Sequence, residues 1–219
     1  MRINIAVPTI KTEKEILPLL EQIRASLLSD ERDIKIIHTC TQASAARNRN
    51  IALSKIRDHE LVIMLDDDIT TFPVGWERSM VEPFLTDIEV PLYCPEFKSV
   101  AMVSARLLKM DGRVAHMMGE NYNLEKEIVE VDNRRLPTAC IAFIKHPKLE
   151  FDEQFVGSGF EDDDFCKQIQ KLCPNGKFVI NNNVKLIHTN EMKNQKGPFW
   201  EYNKRHYLRK WPDEVSRWG

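Results

Sequence analysis

Two acidic triplets about a hundred residues apart, Asp66-Asp67-Asp68 and Asp162-Asp163-Asp164, carry the densest chemistry of the sequence. The first closes an apolar run, Leu61-Val62-Ile63-Met64-Leu65, and the second follows a glycine-bearing turn, Gly157-Ser158-Gly159-Phe160. Carboxylates placed directly after a core strand are costly unless they meet water, hydrogen-bond donors or a metal ion. A solvated turn also uses aspartate, but it needs only one. Three adjacent charges repel, and a divalent cation offsets that repulsion while holding a diphosphate through oxygen ligands. The second group has a competing use, because acids in a first helical turn cap free N–H groups and complement the helix dipole. At about 100° per residue from Phe165, Glu161 and Asp162 flank the buried stripe, whereas Asp163 points away. Capping then falls to Asp163 or Asp164. Glu161 and Asp162 turn inward, where a carboxylate can act as a general base.

Other candidates are weaker one by one. His188 ends the apolar stretch Val184-Lys185-Leu186-Ile187 and is either a boundary residue or, beside carboxylates, a ligand for manganese or another transition ion. His38, His59, His116, His146 and His206 show no ligand spacing and read as structural or surface residues. Arg47, early in a predicted helix, faces away from the packed stripe, which fits exposure or reach to phosphate. Phe199-Trp200-x-Tyr202 and Trp211 could stack on sugar faces or pack in a core.

These groups need elements to position them. Residues 2–7 predict a strand, and Thr12-x-x-Glu15 is a capping box that starts a helix with Ile16, Leu20, Ile23 and Leu27 on one stripe. A strand over 33–37, a helix over 43–57 with Ala45, Ala52 and Ile56 in phase, and a strand over 60–65 complete a βαβαβ order. That order implies a parallel sheet covered by helices, with ligands beyond the carboxyl ends of the strands, where the first triplet falls. Further on, a helix is predicted over 76–85, a proline-bearing loop over 87–97, and strands over 100–107 and 138–145. Asp111-Gly112 suits a turn, and 119–135 shows no clear pattern. Phe165, Ile169, Leu172 and Cys173 mark a helical face, and 177–188 predicts one or two short strands.

With 219 residues, 42% hydrophobic and 29% charged, the chain has the composition of an ordinary soluble domain. A net charge of −2 gives no reason to expect a nucleic-acid or membrane surface, and no apolar run is long enough to span a bilayer. Five cysteines without a Cys-x-x-Cys pair read as reduced thiols of a cytoplasmic protein, with no structural zinc site. One domain over 1–219 is expected, either whole or as part of a longer multidomain protein.

Taken together, the segments resemble glycosyltransferases of the GT-A fold, family 2 above all. The likeness runs in order through Ala6-Val7-Pro8-Thr9, Ala43 to Asn48, Val62 to Asp68, Phe151-Asp152-Glu153 and Gly159 to Cys166. Gly159 to Asp164 is also similar to the Gly-Gly-Glu-Asp-Asp-Asp stretch of β-1,4-galactosyltransferases, with Phe160 in place of the second glycine. His188 at a strand end and the tail from Asn203 to Lys210-Trp211 match as well. The resemblance implies an α/β protein whose Rossmann-like, mixed but mainly parallel sheet is flanked by helices. Its nucleotide-sugar-binding half would be about 1–98 and its acceptor and catalytic half about 99–219.

The implied reaction is metal-dependent, inverting transfer from a nucleotide-diphosphate sugar to an acceptor hydroxyl of a carbohydrate, glycan or glycoprotein. Asp68, Asp66 and His188 would hold Mn2+ or Mg2+. Pro8, Thr9, Arg47, Asp66 and Asp67 would line the nucleotide. Asp162 would be the base and Glu161 its acceptor-positioning neighbour. Family members often read the nucleobase with an acid after the second strand. This chain has His38-Thr39-Cys40-Thr41 there, so UDP is only the default carrier. A haloacid-dehalogenase-like phosphatase using Asp66 and Asp68 is a rival reading, although that motif normally follows the first strand. A nucleotidyltransferase would need a glycine-rich phosphate loop after the first strand, where Pro8-Thr9-Ile10-Lys11 stands. A non-catalytic nucleotide-sugar-binding module is the remaining alternative.

Overall fold

The computed structural model describes residues 2–28, 33–85, 100–115, 125–131, 134–157, 159–189 and 198–218. The predicted loop over 87–97 lies outside them. β1 (Ile3–Thr9), buried along its whole length, pairs in parallel with β2 (Ile34–Cys40) and with β3 (Leu61–Leu65). The connections are α1 (Glu13–Ser26) and α2 (Ala45–Ser54), so the predicted βαβαβ unit is present. Thr12 and Glu15 form the capping box, and Ile16, Leu20 and Ile23 are buried as the stripe requires.

α2 buries Ala52, and Ile56 just after it, as the predicted phase requires, but departs from that phase at its start. Its buried residues are Ala46, Asn48, Arg49, Ala52 and Leu53, while Ala45 is exposed. The short residues at 43–46 fit either face, so the apolar pattern fixes the rotation poorly.

The remaining strands are β4 (Ile69–Thr70), β5 (Val100–Leu108), β6 (Ile128–Glu130), β7 (Cys140–Ile144) and β8 (Lys177–His188). The sheet order is β2-β1-β3-β7-β5-β8-β4, with β6 also paired to β8. β1, β2, β3, β5 and β8 run one way, and β4, β6 and β7 run the other. α3 (Trp76–Leu85) lies where predicted, and Asp111-Gly112 makes the turn that bridges Leu108 to Val114. Instead of one or two short strands, 177–188 forms a single strand with a register shift opposite Ala105 and Arg106. Bending at that irregularity lets β8 pair with β5, β6 and β4 in turn.

α4 (Glu161–Leu172) packs Phe165 against Phe143 of β7, and Phe165 stacks on Phe151 with ring centroids 4.1 Å apart. α5 (Trp200–Lys210), a 3₁₀ turn (Pro212–Glu214) and α6 (Val215–Trp218) follow. Tyr207 of α5 forms a second apolar cluster with Phe155 and Phe160, against which Trp200 and Trp211 pack. Those two tryptophans therefore serve packing, while Phe199 and Tyr202 remain exposed.

Candidate active site

The first triplet occupies the turn between β3 and β4. Asp66 N donates to Ala139 O (2.8 Å), fixing the turn beside the start of β7. β4 pairs antiparallel with the end of β8, placing Ile69 opposite His188. That register brings two residues 120 positions apart into contact: His188 Nε2 lies 3.1 Å from Asp68 Oδ1. Thr189 closes the junction by donating its N–H (3.0 Å) and hydroxyl (2.8 Å) to Asp68 O. Ligand atoms of Asp66, Asp68 and His188 all lie within 4.8 Å of one another. Burial works against ionisation of Asp68, but the hydrogen bond and charge of His188 outweigh it and hold the carboxyl below its ordinary value.

Asp67 has different partners. It accepts the Thr9 hydroxyl, and Lys11 Nζ sits 2.6 Å from its carbonyl oxygen. Thr9 and Pro8 are buried at the end of β1, where Asn48 ties Thr9 O to the Thr41 carbonyl after β2.

The second acidic group sits in the first turn of α4. Before it, Gly159 (φ 111°) stands so close to Trp200 that a Cβ would come within 3.0 Å of the ring. Phe160 follows at φ 69°, a left-handed conformation that favours glycine, and its side chain is buried. No side chain caps this helix. Asp163, predicted to point away and cap, pairs with Arg135 Nη1 (2.5 Å). Asp164, 1% exposed, accepts from Trp211 Nε1 (2.8 Å), Lys210 Nζ (2.9 Å) and Gln168 Nε2 (2.7 Å). Both carboxylates anchor neighbouring segments rather than the helix start, because long cationic side chains reach them from outside α4.

Asp162 faces inward as predicted. Thr138 holds it twice, through its N–H to Oδ2 (3.1 Å) and its hydroxyl to Oδ1. The Asp162 side chain keeps 33% exposure, yet protein atoms crowd it enough that burial raises its pKa against the pull of Arg49 and Thr138. Glu161 is raised by burial and then by the Asp162 charge, and its Oε2 is buried without a hydrogen bond among the described residues. At Asp162 the Arg49 charge and the two Thr138 hydrogen bonds oppose the effect of burial and favour the charged form.

Arg49 joins the two triplets. Its Nη2 donates to Asp66 Oδ1 (2.8 Å), its Nη1 lies 4.0 Å from Asp162 Oδ1, and its guanidinium sits over the Phe151 ring at 5.0 Å. The side chain is 7% exposed, and Nη1 has no hydrogen-bond partner among the described residues. Sequence reasoning selected Arg47 and missed Arg49. Arg49 lies three residues after Ala46 on the face that packs, a face the small residues at 43–46 leave open in the sequence. Arg47 itself is exposed and lines a shallow cavity with Thr41, Gln42, Ser44 and Glu153. Thr138, another residue missed, carries no signal in the sequence beyond preceding a strand.

The order and direction of the strands, with helices on the sheet, define the class: the chain has the GT-A fold. Particular solved structures agree. The structure of GalNAc-T7 with UDP, GalNAc and Mn2+ superposes with a TM-score of 0.58 at 11% identity, covering 100% of this chain and 52% of that one. S. aureus TarS residues 1–349 give 0.59 at 13% identity, covering 99% and 72%. The same TarS fragment with UDP-GlcNAc gives 0.60 at 14%, covering 96% and 66%. The chain thus spans about half the length of the first of these. No family model and no curated protein sequence matches it.

Proposed function

We propose that the chain is a metal-dependent glycosyltransferase. It would move a sugar from a nucleotide-diphosphate sugar, with UDP as the carrier, to an acceptor hydroxyl of a carbohydrate, glycan or glycoprotein, inverting the anomeric carbon. The observation that carries this reading is the meeting of Asp66, Asp68 and His188 at the strand ends, one arginine away from Asp162. Structural neighbours solved with UDP and Mn2+ or with UDP-GlcNAc support the same choice of donor.

Two carboxylates and an imidazole are a donor set suited to Mn2+ or Mg2+, with water completing the shell. Asp68, Asp66 and His188 would hold the ion, which when bound neutralises charge developing on the departing diphosphate. Lys11 and exposed Arg47 offer cations to phosphate, and Pro8 and Thr9 wall the groove at the end of β1. Thr138 fixes the Asp162 carboxylate so that it takes the acceptor hydroxyl proton as the new C–O bond forms and the bond to the diphosphate oxygen breaks. Burial raises the proton affinity of Asp162 and makes it a stronger base. Glu161, buried beside it, would orient the acceptor.

Asp162→Asn keeps the shape and removes the base. Turnover of nucleotide sugar should fall by roughly 10²–10⁴-fold while metal-dependent nucleotide binding persists. Near-normal turnover would sink the assignment. Binding by the unmodified protein without transfer to any acceptor would point to a non-catalytic module.

A further inference from the structure

Outside the acidic site, one other group among the described residues brings metal-binding atoms together: Glu13, His38 and Cys40. No Cys-x-x-Cys spacing announces it. β2 is an edge strand of the sheet, and residues two apart on a strand share a face, so His38 and Cys40 point the same way. The capping box sets the third member. Glu15 is engaged with Thr12, which leaves Glu13, the first residue of α1, to turn toward β2. His38 Nε2 and Glu13 Oε2 are 2.8 Å apart, and one donor atom from each of the three residues lies within 4.8 Å of the others.

We infer that Glu13, His38 and Cys40 form a second cation site, selective for a soft divalent ion of the zinc class. An exposed His–Glu pair alone adds little stability and needs no thiol beside it. A thiol, an imidazole and a carboxylate together are the N, S and O donors that zinc takes, whereas manganese and magnesium prefer oxygen-rich sets such as Asp66, Asp68 and His188. With bonds of about 2.0–2.3 Å, tetrahedral donors stand roughly 3.3–3.7 Å apart, within about 1 Å of the separations present. Binding releases the Cys40 proton to solvent as the thiolate–metal bond forms, so thiolate and carboxylate balance the ion's charge. The fourth position stays open to water or a ligand. Cys40 is in register with Thr9, so a bound ion ties the first turn of α1 to β2 beside the residue that holds Asp67.

This inference is independent of the proposed transferase activity, and cobalt(II) titration of the full chain tests it. Cobalt bound through a thiolate produces a sulfur-to-metal charge-transfer absorption that carboxylate sites lack. That band should saturate in the unaltered protein and in Asp68→Asn, and should bleach on addition of one equivalent of zinc. It should vanish in Cys40→Ser and need at least tenfold more cobalt in His38→Gln and Glu13→Gln. No band in the unaltered protein, a band that survives Cys40→Ser, or indifference to His38→Gln would each overturn the site. Circular dichroism of each metal-free variant checks that the fold is unchanged.

Discussion

Arg49 is where the two acidic groups become one site. A buried guanidinium is tolerable because Asp66 holds it at 2.8 Å, Phe151 stacks beneath it and Asp162 lies across from it. Replacing it with methionine keeps the volume but leaves Asp66 and Asp162 facing each other without a cation. We expect a loss of about 3 kcal/mol, the low end for breaking a buried pair, because both aspartates keep some solvent contact. Chemical denaturation of Arg49→Met measures it. Glu161 gives a second expectation at this scale. Its folded-state pKa is raised, by burial first and by Asp162 second, with Arg49 opposing. The folded chain therefore binds that proton more tightly than the unfolded chain does. Stability present at low pH declines as the pH rises from the ordinary carboxylate range to the raised value. Glu161→Gln cannot ionise, so its thermal midpoint above neutral pH should exceed that of the unaltered protein, and the two should converge in acid.

Among the elements, α4 and the segment before it are tied down by ion pairs and hydrogen bonds from both sides of the chain. Asp164 binds Lys210 and Trp211, Asp163 binds Arg135, and Asp152 binds His206 (2.9 Å) and Lys210 (3.0 Å). Against an opposing effect of burial, the bonds from His206, the Gln154 N–H and Lys210 pull Asp152 down to about 2. A depressed carboxyl stabilises the fold above its unfolded value, and that contribution is lost as the pH falls from about 4 to about 2. Asp152→Asn should flatten this acid limb of the thermal midpoint. Phe160 holds the same junction by a different means. Its left-handed backbone is strained for a side chain, and contact with Trp200 and Tyr207 (ring centroids 4.7 and 5.3 Å) compensates. Phe160→Ala keeps the strain and loses the packing, so denaturant unfolding should show a loss of about 3 kcal/mol or more.

Across the whole molecule, the two halves read from the sequence share one sheet. β3 lies against β7 in the middle, and β4 from the first half completes the edge beside β8 from the second. We therefore propose that 1–219 folds as a single domain. Residues 1–98 alone would expose the fully apolar β3 as an open edge, a template for aggregation. That fragment should be insoluble or lack a cooperative transition, by gel filtration and calorimetry. Closure of the sheet also completes the candidate metal site. Millimolar Mn2+ should raise the thermal midpoint of the full chain, and His188→Ala should abolish that shift.

Much of this was legible in advance. Hydrophobic period and turn chemistry mark β1, α1, β3, α3 and the buried face of α4, because each rule acts over a few neighbouring residues. The acidic triplets and the inward turn of Asp162 are visible for the same reason. Long-range pairing was not. The single bent β8, the short β4 that delivers His188 to Asp68, and the hold of Thr138 on Asp162 depend on sheet order, which no local period encodes. Arg49 and the Glu13–His38–Cys40 group went unseen because the phase of a small-residue helix and the approach of a helix start to a strand edge are settled only by packing. The sequence by itself determined which residues could do chemistry and which segments would present them. Tertiary structure decided which of them meet, because contacts across a sheet are set by register and burial summed over the whole chain.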